Sequence, residues 1–329
     1  MVTIVIKSFN RPHYLDRCLQ SISDNVKGNY TVKIIDDGTP QKYLKKIQEK
    51  FPETQLLYTK AYQGKSEQIS NHETITRSIP SKDWYEVVNN STDYVLIIED
   101  DVWFVASINL DEIEKQMNEQ EINLLKLGWN GIEITSQNKK INDLLKQENP
   151  NVFTLNRKLI DVLFADKFRI YSILKKLNII DKNEFVKYYH FISITSGVHR
   201  KDYWLKTWES LEGKINEKLQ IKNAIEYYKK YKTPNFIAKY HEEIIKTTFQ
   251  SSATNSGHNY EADLDINYLN FLLNEAWFND EFDSMKNYPN DFSLDYFEKF
   301  FNEKIKKEEF RKWVEGFKNQ YRNIGAQVD

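Results

Sequence analysis

The stretch Tyr94-Val95-Leu96-Ile97-Ile98-Glu99-Asp100-Asp101 runs an apolar, strand-forming segment straight into three consecutive carboxylates. A short apolar run of this kind reads as a buried strand. Three adjacent anions at its end repel one another and lose hydration, so the fold must set positive charge among them or leave them in water. Oxygen donors of this type suit a hard divalent cation, Mg2+ or Mn2+. The stretch therefore reads as a metal-diphosphate site, and the alternative is a solvated acidic turn.

Upstream of the acids, strand and helix patterns alternate. Val2 to Ser8 reads as a buried strand, and Phe9-Asn10-Arg11-Pro12 turns the chain into a helix, since proline is tolerated in a first turn. Tyr14, Leu15, Cys18, Leu19 and Ile22 recur at helical spacing, which leaves Asp16, Arg17 and Gln20 outward. Gly28-Asn29 breaks the helix. A second strand, Tyr30 to Ile35, ends in Asp36-Asp37-Gly38-Thr39-Pro40, and Tyr43, Leu44 and Ile47 mark the next helix. A third strand spans Gln55 to Tyr58, and Gly64 precedes a helix over about residues 66–79. The pattern predicts an α/β fold, a Rossmann-like and mostly parallel sheet with helices on both faces. Ligands of such sheets bind at the carboxyl ends of strands. Three chemically distinctive loops fall there, at Ser8 to Arg11, Asp36 to Thr39 and Glu99 to Asp101. With no glycine-rich dinucleotide fingerprint and no Walker-type loop, phosphate must be held by other means.

The later chain reads more coarsely. Ile122 to Leu127 predicts a strand leading to Gly128-Trp129-Asn130-Gly131, a loop able to set an aromatic platform beside a sugar unless Trp129 is core. An apolar stripe from Leu159 to Leu177, flanked by Lys167, Arg169, Lys175 and Lys176, reads as a core-facing helix, with peripheral contact to an anionic membrane as the alternative. His190 to Arg200 reads as a strand and turn before a helix near Lys201, and Ser251 to Tyr260 as a polar loop. Residues from Leu264 to Tyr321 are helical and rich in aromatics. The expected organisation is a catalytic domain over residues 1–262, divided into 1–105 and 106–262, and a helical C-terminal appendage over 263–329. A formal net charge of -2 argues against a chain built mainly to bind polyanions. The single cysteine, Cys18, fits a reducing compartment. With no leader-like start and no apolar run of about 18 residues, the expectation is a soluble cytoplasmic protein.

The opening Val2 to Pro12, the segment Ile34-Ile35-Asp36-Asp37-Gly38-Thr39 and the segment Ile97-Ile98-Glu99-Asp100-Asp101 together resemble the nucleotide-binding half of GT-A fold glycosyltransferases of the family 2 type. The resemblance covers about the first 105 residues. It implies a metal-dependent transfer of sugar from a nucleotide-sugar donor to an acceptor hydroxyl; a metal on the leaving diphosphate and a carboxylate base would invert the anomeric centre, with retention as the alternative. Ser8, Asn10, Arg11 and Asp36 would then contact the nucleoside, and Asp101 would ligate Mn2+ or Mg2+ on the donor diphosphate. Glu99 and Asp100 would face ribose or donor sugar. Lys65 is a further candidate for offsetting phosphate charge, against a plain solvated lysine, and Asn10 and Arg11 are alternatively a simple helix cap. The acidic motif that supplies the base in this family finds its equivalent in Tyr240-His241-Glu242-Glu243-Ile244-Ile245, with Glu243 preferred over Glu242. The alternative places both acids in the first turn of a helix. His258 is the candidate for a late loop contact to metal or diphosphate. The acceptor is a glycan, a lipid-linked species, a protein or a modified nucleic acid. The competing readings are a nucleotidyltransferase and an inactive carbohydrate-binding or scaffold module.

Overall fold

The structure is a computed structural model that describes residues 1–75, 78–131, 138–140, 145–148, 167–179, 191–192, 196–210, 215–231, 235–253 and 260–328. In chain order its main elements are β1 (Val2–Ser8), α1 (Pro12–Asn25), β2 (Tyr30–Asp36), α2 (Gln41–Lys50), β3 (Gln55–Tyr58), α3 (Tyr62–Ser70), α4 (Ser81–Asn89), β4 (Tyr94–Glu99), β5 (Val102–Phe104), α5 (Leu110–Glu119) and β6 (Leu124–Gly128). These are followed by β7 (Asn138–Lys140), β8 (Leu145–Glu148), α6 (Ile170–Lys176), β9 (Ser196–Arg200), α7 (Lys201–Thr207), α8 (Glu217–Tyr231), β10 (Ile237–Tyr240), β11 (Ile245–Thr247), α9 (Ile266–Phe278), α10 (Leu294–Phe297) and α11 (Lys307–Arg322).

Among the described residues one nine-stranded sheet runs β3-β2-β1-β4-β9-β6-β10-β8-β7. Strands β3, β2, β1 and β4 are mutually parallel, while β9 pairs antiparallel with both β4 and β6. The expected class, a mostly parallel sheet flanked by helices with a helical C-terminal region, is the fold observed. Because β1 to β4 are parallel, their carboxyl ends align: Ser8 lies opposite Asp36 and Lys7 opposite Glu99. Among the described residues no helix is long and apolar enough to cross a membrane.

Several local expectations change. The helix expected over residues 66–79 is realised only in part: α3 begins earlier, with Gly64 inside it, and ends at Ser70, and the next helix, α4, begins only at Ser81. α3 stops at Asn71 and the left-handed His72 (φ of 57°), and Pro80 serves as the N-cap of α4. In the stripe near residue 170, Tyr171 is buried but Phe168, Ile173 and Leu177 are exposed, so the described part does not face the core.

The largest correction concerns α1. Asp16 and Arg17, placed outward by helical periodicity, are 3% and 0% exposed. The Asp16 carboxylate accepts from Trp277 Nε1 (2.8 Å), Ser284 Oγ (2.8 Å) and Lys50 Nζ (2.7 Å). Arg17 donates to the carbonyls of Ser284 (2.7 Å), Asn290 (3.0 Å) and Lys286, and its guanidinium carbon lies 3.7 Å from the centroid of the Phe292 ring. The segment expected to be an appendage thus covers the polar side of α1, while Trp277, Phe282, Phe292, Phe297 and Phe310 join the same apolar cluster as Ile4, Tyr14 and Leu96. Replacing Arg17 by Met would leave three carbonyls of the C-terminal segment without their donor. Each such group costs about 1–3 kcal/mol when buried. Urea unfolding of Arg17→Met should show a loss of about 3 kcal/mol or more, and a loss below about 1 kcal/mol would contradict this account of the interface.

Candidate active site

The loop after β1 is held residue by residue from three directions. Phe9 N donates to Asp100 Oδ2 (2.9 Å), beyond the end of β4. Asn10 N donates to Thr39 Oγ1 (2.7 Å), in the turn after β2. Arg11 donates through Nη1 to Asp101 Oδ2 (2.8 Å) and through Nη2 to Asp100 Oδ1 (2.5 Å). Asn10 adopts φ of 52°, a left-handed conformation that asparagine tolerates better than most residues. The next residue but one, Pro12, starts α1. The sequence alternatives for Arg11, helix cap or ligand contact, thus gain a third: its guanidinium bridges two of the three acids.

The three acids occupy different environments. The Glu99 side chain is half exposed and pairs with Lys7 Nζ at 2.7 Å, and the Lys7 charge pulls its pKa down. Asp100 and Asp101 are buried. Burial raises the Asp100 carboxyl to about 7 against the opposing pull of Arg11, and it raises Asp101 in the same way. Burial disfavours the Arg11 cation, but Asp100, Asp101 and Glu99 together outweigh that cost and hold it protonated above its ordinary range. Positive charge for the buried pair therefore comes from within the chain.

Four buried polar atoms of this loop and acid pair have no hydrogen-bond partner among the described residues: Ser8 Oγ, Asn10 Nδ2, Arg11 Nε and Asp101 Oδ1. Asp101 Oδ1 is buried without a hydrogen-bond partner, and such atoms are uncommon enough in folded proteins to ask for an explanation. Among the described residues there is no cluster of three or more His, Cys, Asp and Glu side chains able to hold a metal. Among the described residues the site therefore offers a cation a buried Asp101 oxygen beside the half-exposed Glu99 carboxylate and no all-protein cage. That set fits a hard ion of the Mg2+ type, which takes one or two carboxylates and completes its shell with phosphate and water. His258 lies outside the described residues.

Asp36 and Lys65 are placed differently from a pair of free ligand contacts. The Asp36 carboxylate accepts from Gly38 N (2.9 Å), Thr39 N (2.7 Å) and Thr39 Oγ1 (2.7 Å), so it organises the turn that in turn holds Asn10. Lys65 is buried rather than solvated: Nζ donates to Asp37 Oδ2 and to the Ser78 carbonyl (2.7 Å). Gly38 has φ of 145°, and a Cβ there would lie 2.6 Å from Lys65 Cβ, so the close approach of these two segments requires glycine.

On the other side of β4, Glu242 and Glu243 follow β10 and lead into β11, which pairs antiparallel with β5. They do not open a helix. Glu242 is exposed. Glu243 Oε1 accepts from Gly131 N (2.6 Å) and Oε2 from Asn130 N (3.1 Å). Asn130 and Gly131 have φ of 54° and 67°, a conformation that turns successive N–H groups toward a single anion. The half-buried Trp129 ring lies under Lys239 Nζ, 4.6 Å from its centroid. Gln327 N, beyond α11, donates to the Asn130 carbonyl at 2.8 Å. Tyr321, on α11, has its hydroxyl pushed up to about 12 by burial and by the charges of Glu99 and Asp101. Sequence reading grouped Tyr321 with other aromatics of a helical stripe, where nothing marks it as facing acids.

Residues 3–71 match the family model for glycosyl transferase family 2. No match is found among curated proteins. Among solved structures the chain is similar to S. aureus TarS residues 1–349, at 12% identity and a TM-score of 0.42, covering 98% of this chain and 91% of that one. The same TarS segment in complex with UDP-GlcNAc gives 12% identity and a TM-score of 0.41 over 98% and 91% of the two chains. Glucosyl-3-phosphoglycerate synthase from Mycobacterium tuberculosis, in complex with Mn2+, uridine diphosphate and phosphoglyceric acid, gives 11% identity and a TM-score of 0.39 over 86% and 80%.

The neutralising role of Arg11 has a measurable pH signature. In Arg11→Met the buried carboxyls lose their cation, so their pKa values rise further above the unfolded value near 3.8. A group whose pKa is raised by folding stabilises the fold while protonated and loses that contribution as pH rises through its folded value. The deficit of Arg11→Met relative to the parent should therefore be small near pH 5 and grow toward pH 8, reaching about 3–5 kcal/mol for a broken buried pair. Urea unfolding at the two pH values measures it, and equal deficits would show that Arg11 does not neutralise the pair.

Proposed function

We propose that this chain is a glycosyltransferase that moves a sugar from a nucleotide-activated donor to an acceptor hydroxyl. The observation that carries this reading is the convergence of three loops at the carboxyl ends of adjacent parallel strands, around a buried Asp101 oxygen that lacks a partner. The match of residues 3–71 to glycosyl transferase family 2 supports it. In this reading Ser8, Asn10, Arg11 and the Asp36 turn form the nucleoside side of the site, and Glu99 and Asp100 border ribose or donor sugar. Asp101 holds Mn2+ or Mg2+ together with the donor diphosphate, and His258 is assigned to the same ion or diphosphate. Bound there, the cation stabilises charge on the leaving diphosphate. Arg11, in direct contact with Asp101 Oδ2 and Asp100 Oδ1, balances the acids before donor arrives.

Glu243 is assigned as the base that takes the proton of the acceptor hydroxyl, with inversion at the anomeric carbon. Its support is positional: two backbone N–H groups fix its carboxylate, whereas Glu242 points into solvent. Each Glu243 oxygen keeps a second lone pair for a proton. The Trp129 ring beside this turn is suited to a sugar face.

Thermal shift with uridine, guanosine, adenosine and cytidine diphosphates, with and without Mn2+, tests the donor site. A ligand that binds only the folded state adds about 2.7 kcal/mol at a hundred times its dissociation constant. At least one nucleotide should raise the melting point, and Asp101→Asn should lose the Mn2+-dependent part of the shift. If none of the four binds, the assignment fails. For the base, Glu243→Gln should keep nucleotide affinity and lose about 10²- to 10⁴-fold in transfer, while Glu242→Gln stays near the parent rate. Near-parent transfer by Glu243→Gln would remove the base assignment and the inverting mechanism with it.

A further inference from the structure

The loop that carries Asn10 and Arg11 is held from the far end of the chain. Asn274 lies on the buried side of α9 and is 0% exposed. Its side-chain Nδ2 donates to the Asn10 carbonyl (3.1 Å) and to Asn10 Oδ1 (3.0 Å). Its Oδ1 lies 2.9 Å from His13 Nδ1. Because Nδ2 serves Asn10, Oδ1 must accept, and His13 therefore carries its proton on Nδ1. Burial lowers the His13 pKa to about 3, so this neutral tautomer persists across the working pH range.

The consequence for Asn10 is specific. A left-handed φ at a residue other than glycine persists only where its surroundings over-determine it. Thr39 Oγ1 fixes Asn10 N, and Asn274 fixes both the carbonyl and the side chain. Without Asn274 the Asn10 carbonyl is buried with no donor, and the peptide leading into Arg11 is free to rotate. Any such rotation moves the guanidinium away from Asp100 and Asp101.

We propose that Asn274 is a positioning residue for the donor site, which makes α9 a working part of that site although it touches no substrate; this rests on the donor-site reading above. It holds the Asn10 peptide in the one conformation that aims Arg11 at the acids. An aspartate cannot replace it, since a carboxylate would face the Asn10 carbonyl acceptor to acceptor even if the Asn10 amide turned its unpartnered Nδ2 toward it. The neighbouring contacts on the same interface, from Trp277 and Ser284 to Asp16, fix α1 and do not reach the loop.

Isothermal titration of the four nucleoside diphosphates with Mn2+ tests this on the full chain. The parent is compared with Asn274→Ala, Asn274→Asp and the interface control Ser284→Ala, and melting points are recorded for each. Both Asn274 variants should bind at least tenfold more weakly than the parent. Ser284→Ala should melt lower than the parent with an unchanged dissociation constant. Should Asn274→Ala not fold, Asn274→Ser, which keeps a shorter donor, takes its place and should show an intermediate loss. Unchanged affinity in the Asn274 variants overturns the inference while leaving the donor-site reading standing. Equal weakening in Ser284→Ala also overturns it, because the effect would then be general loosening of the interface. A parent that binds none of the four nucleotides overturns the donor-site reading and this inference together.

Discussion

Two buried carboxylates next to each other in sequence are costly to ionise, and in this protein Arg11 is the cation in contact that opposes that cost. The guanidinium reaches Asp100 and Asp101 with separate nitrogens, the geometry for which arginine is suited and lysine is not. Everything nearby keeps that fork in place. Phe9 N ties the loop to Asp100, Asn10 is fixed from Thr39 and Asn274, and Pro12 commits the following residues to helix. Asp36 and Lys65, both buried, serve the same end at one remove by fixing the turns that hold the loop.

The acids are consequently graded rather than equivalent. Glu99 faces water with Lys7 on one oxygen, Asp100 is saturated by the loop and Arg11, and Asp101 keeps a buried oxygen without a partner. The three acids thus offer a cation two different kinds of oxygen, a buried one on Asp101 and a solvated one on Glu99. The gradation comes from strand geometry, because alternate residues of β4 face opposite sides of the sheet and the chain turns immediately after Glu99.

Much of this was legible in the sequence where the period of apolar residues decides the matter. Val2 to Ser8 and Gln55 to Tyr58 were readable as strands to the residue, since each is short, apolar and bounded by turn chemistry. The fold class followed from their alternation with helices. What periodicity could not supply is which polar surface a distant segment covers. Asp16 and Arg17 lie on the face that helical spacing assigns to solvent, and only the carbonyls of residues 284–290 and the Trp277 indole make that face interior. Arg11 presents the same difficulty: its partners are about ninety residues away, and nothing local distinguishes it from an ordinary residue at a helix start. Sequence alone favours Glu243 over Glu242 only by a narrow margin. The reason to separate it from Glu242, two N–H groups of a left-handed turn more than a hundred residues earlier, exists only in three dimensions.

The hydrogen bonds from Asn274 to Asn10 span 264 residues of chain. During synthesis the first strand and helix emerge long before their partners, with Arg17 and Asp16 facing water and the Asn10 peptide unrestrained. Contacts of such sequence separation form late, because loop closure must be completed before they stabilise anything. Nascent chains would pass through a state with most of the parallel strands paired and no competent anion site. If Asn274 shapes the donor site as proposed, a ribosome-bound chain that stops short of α9 would own every residue of the acid pocket and still be unable to shape it, so ligand affinity would report synthesis past α9.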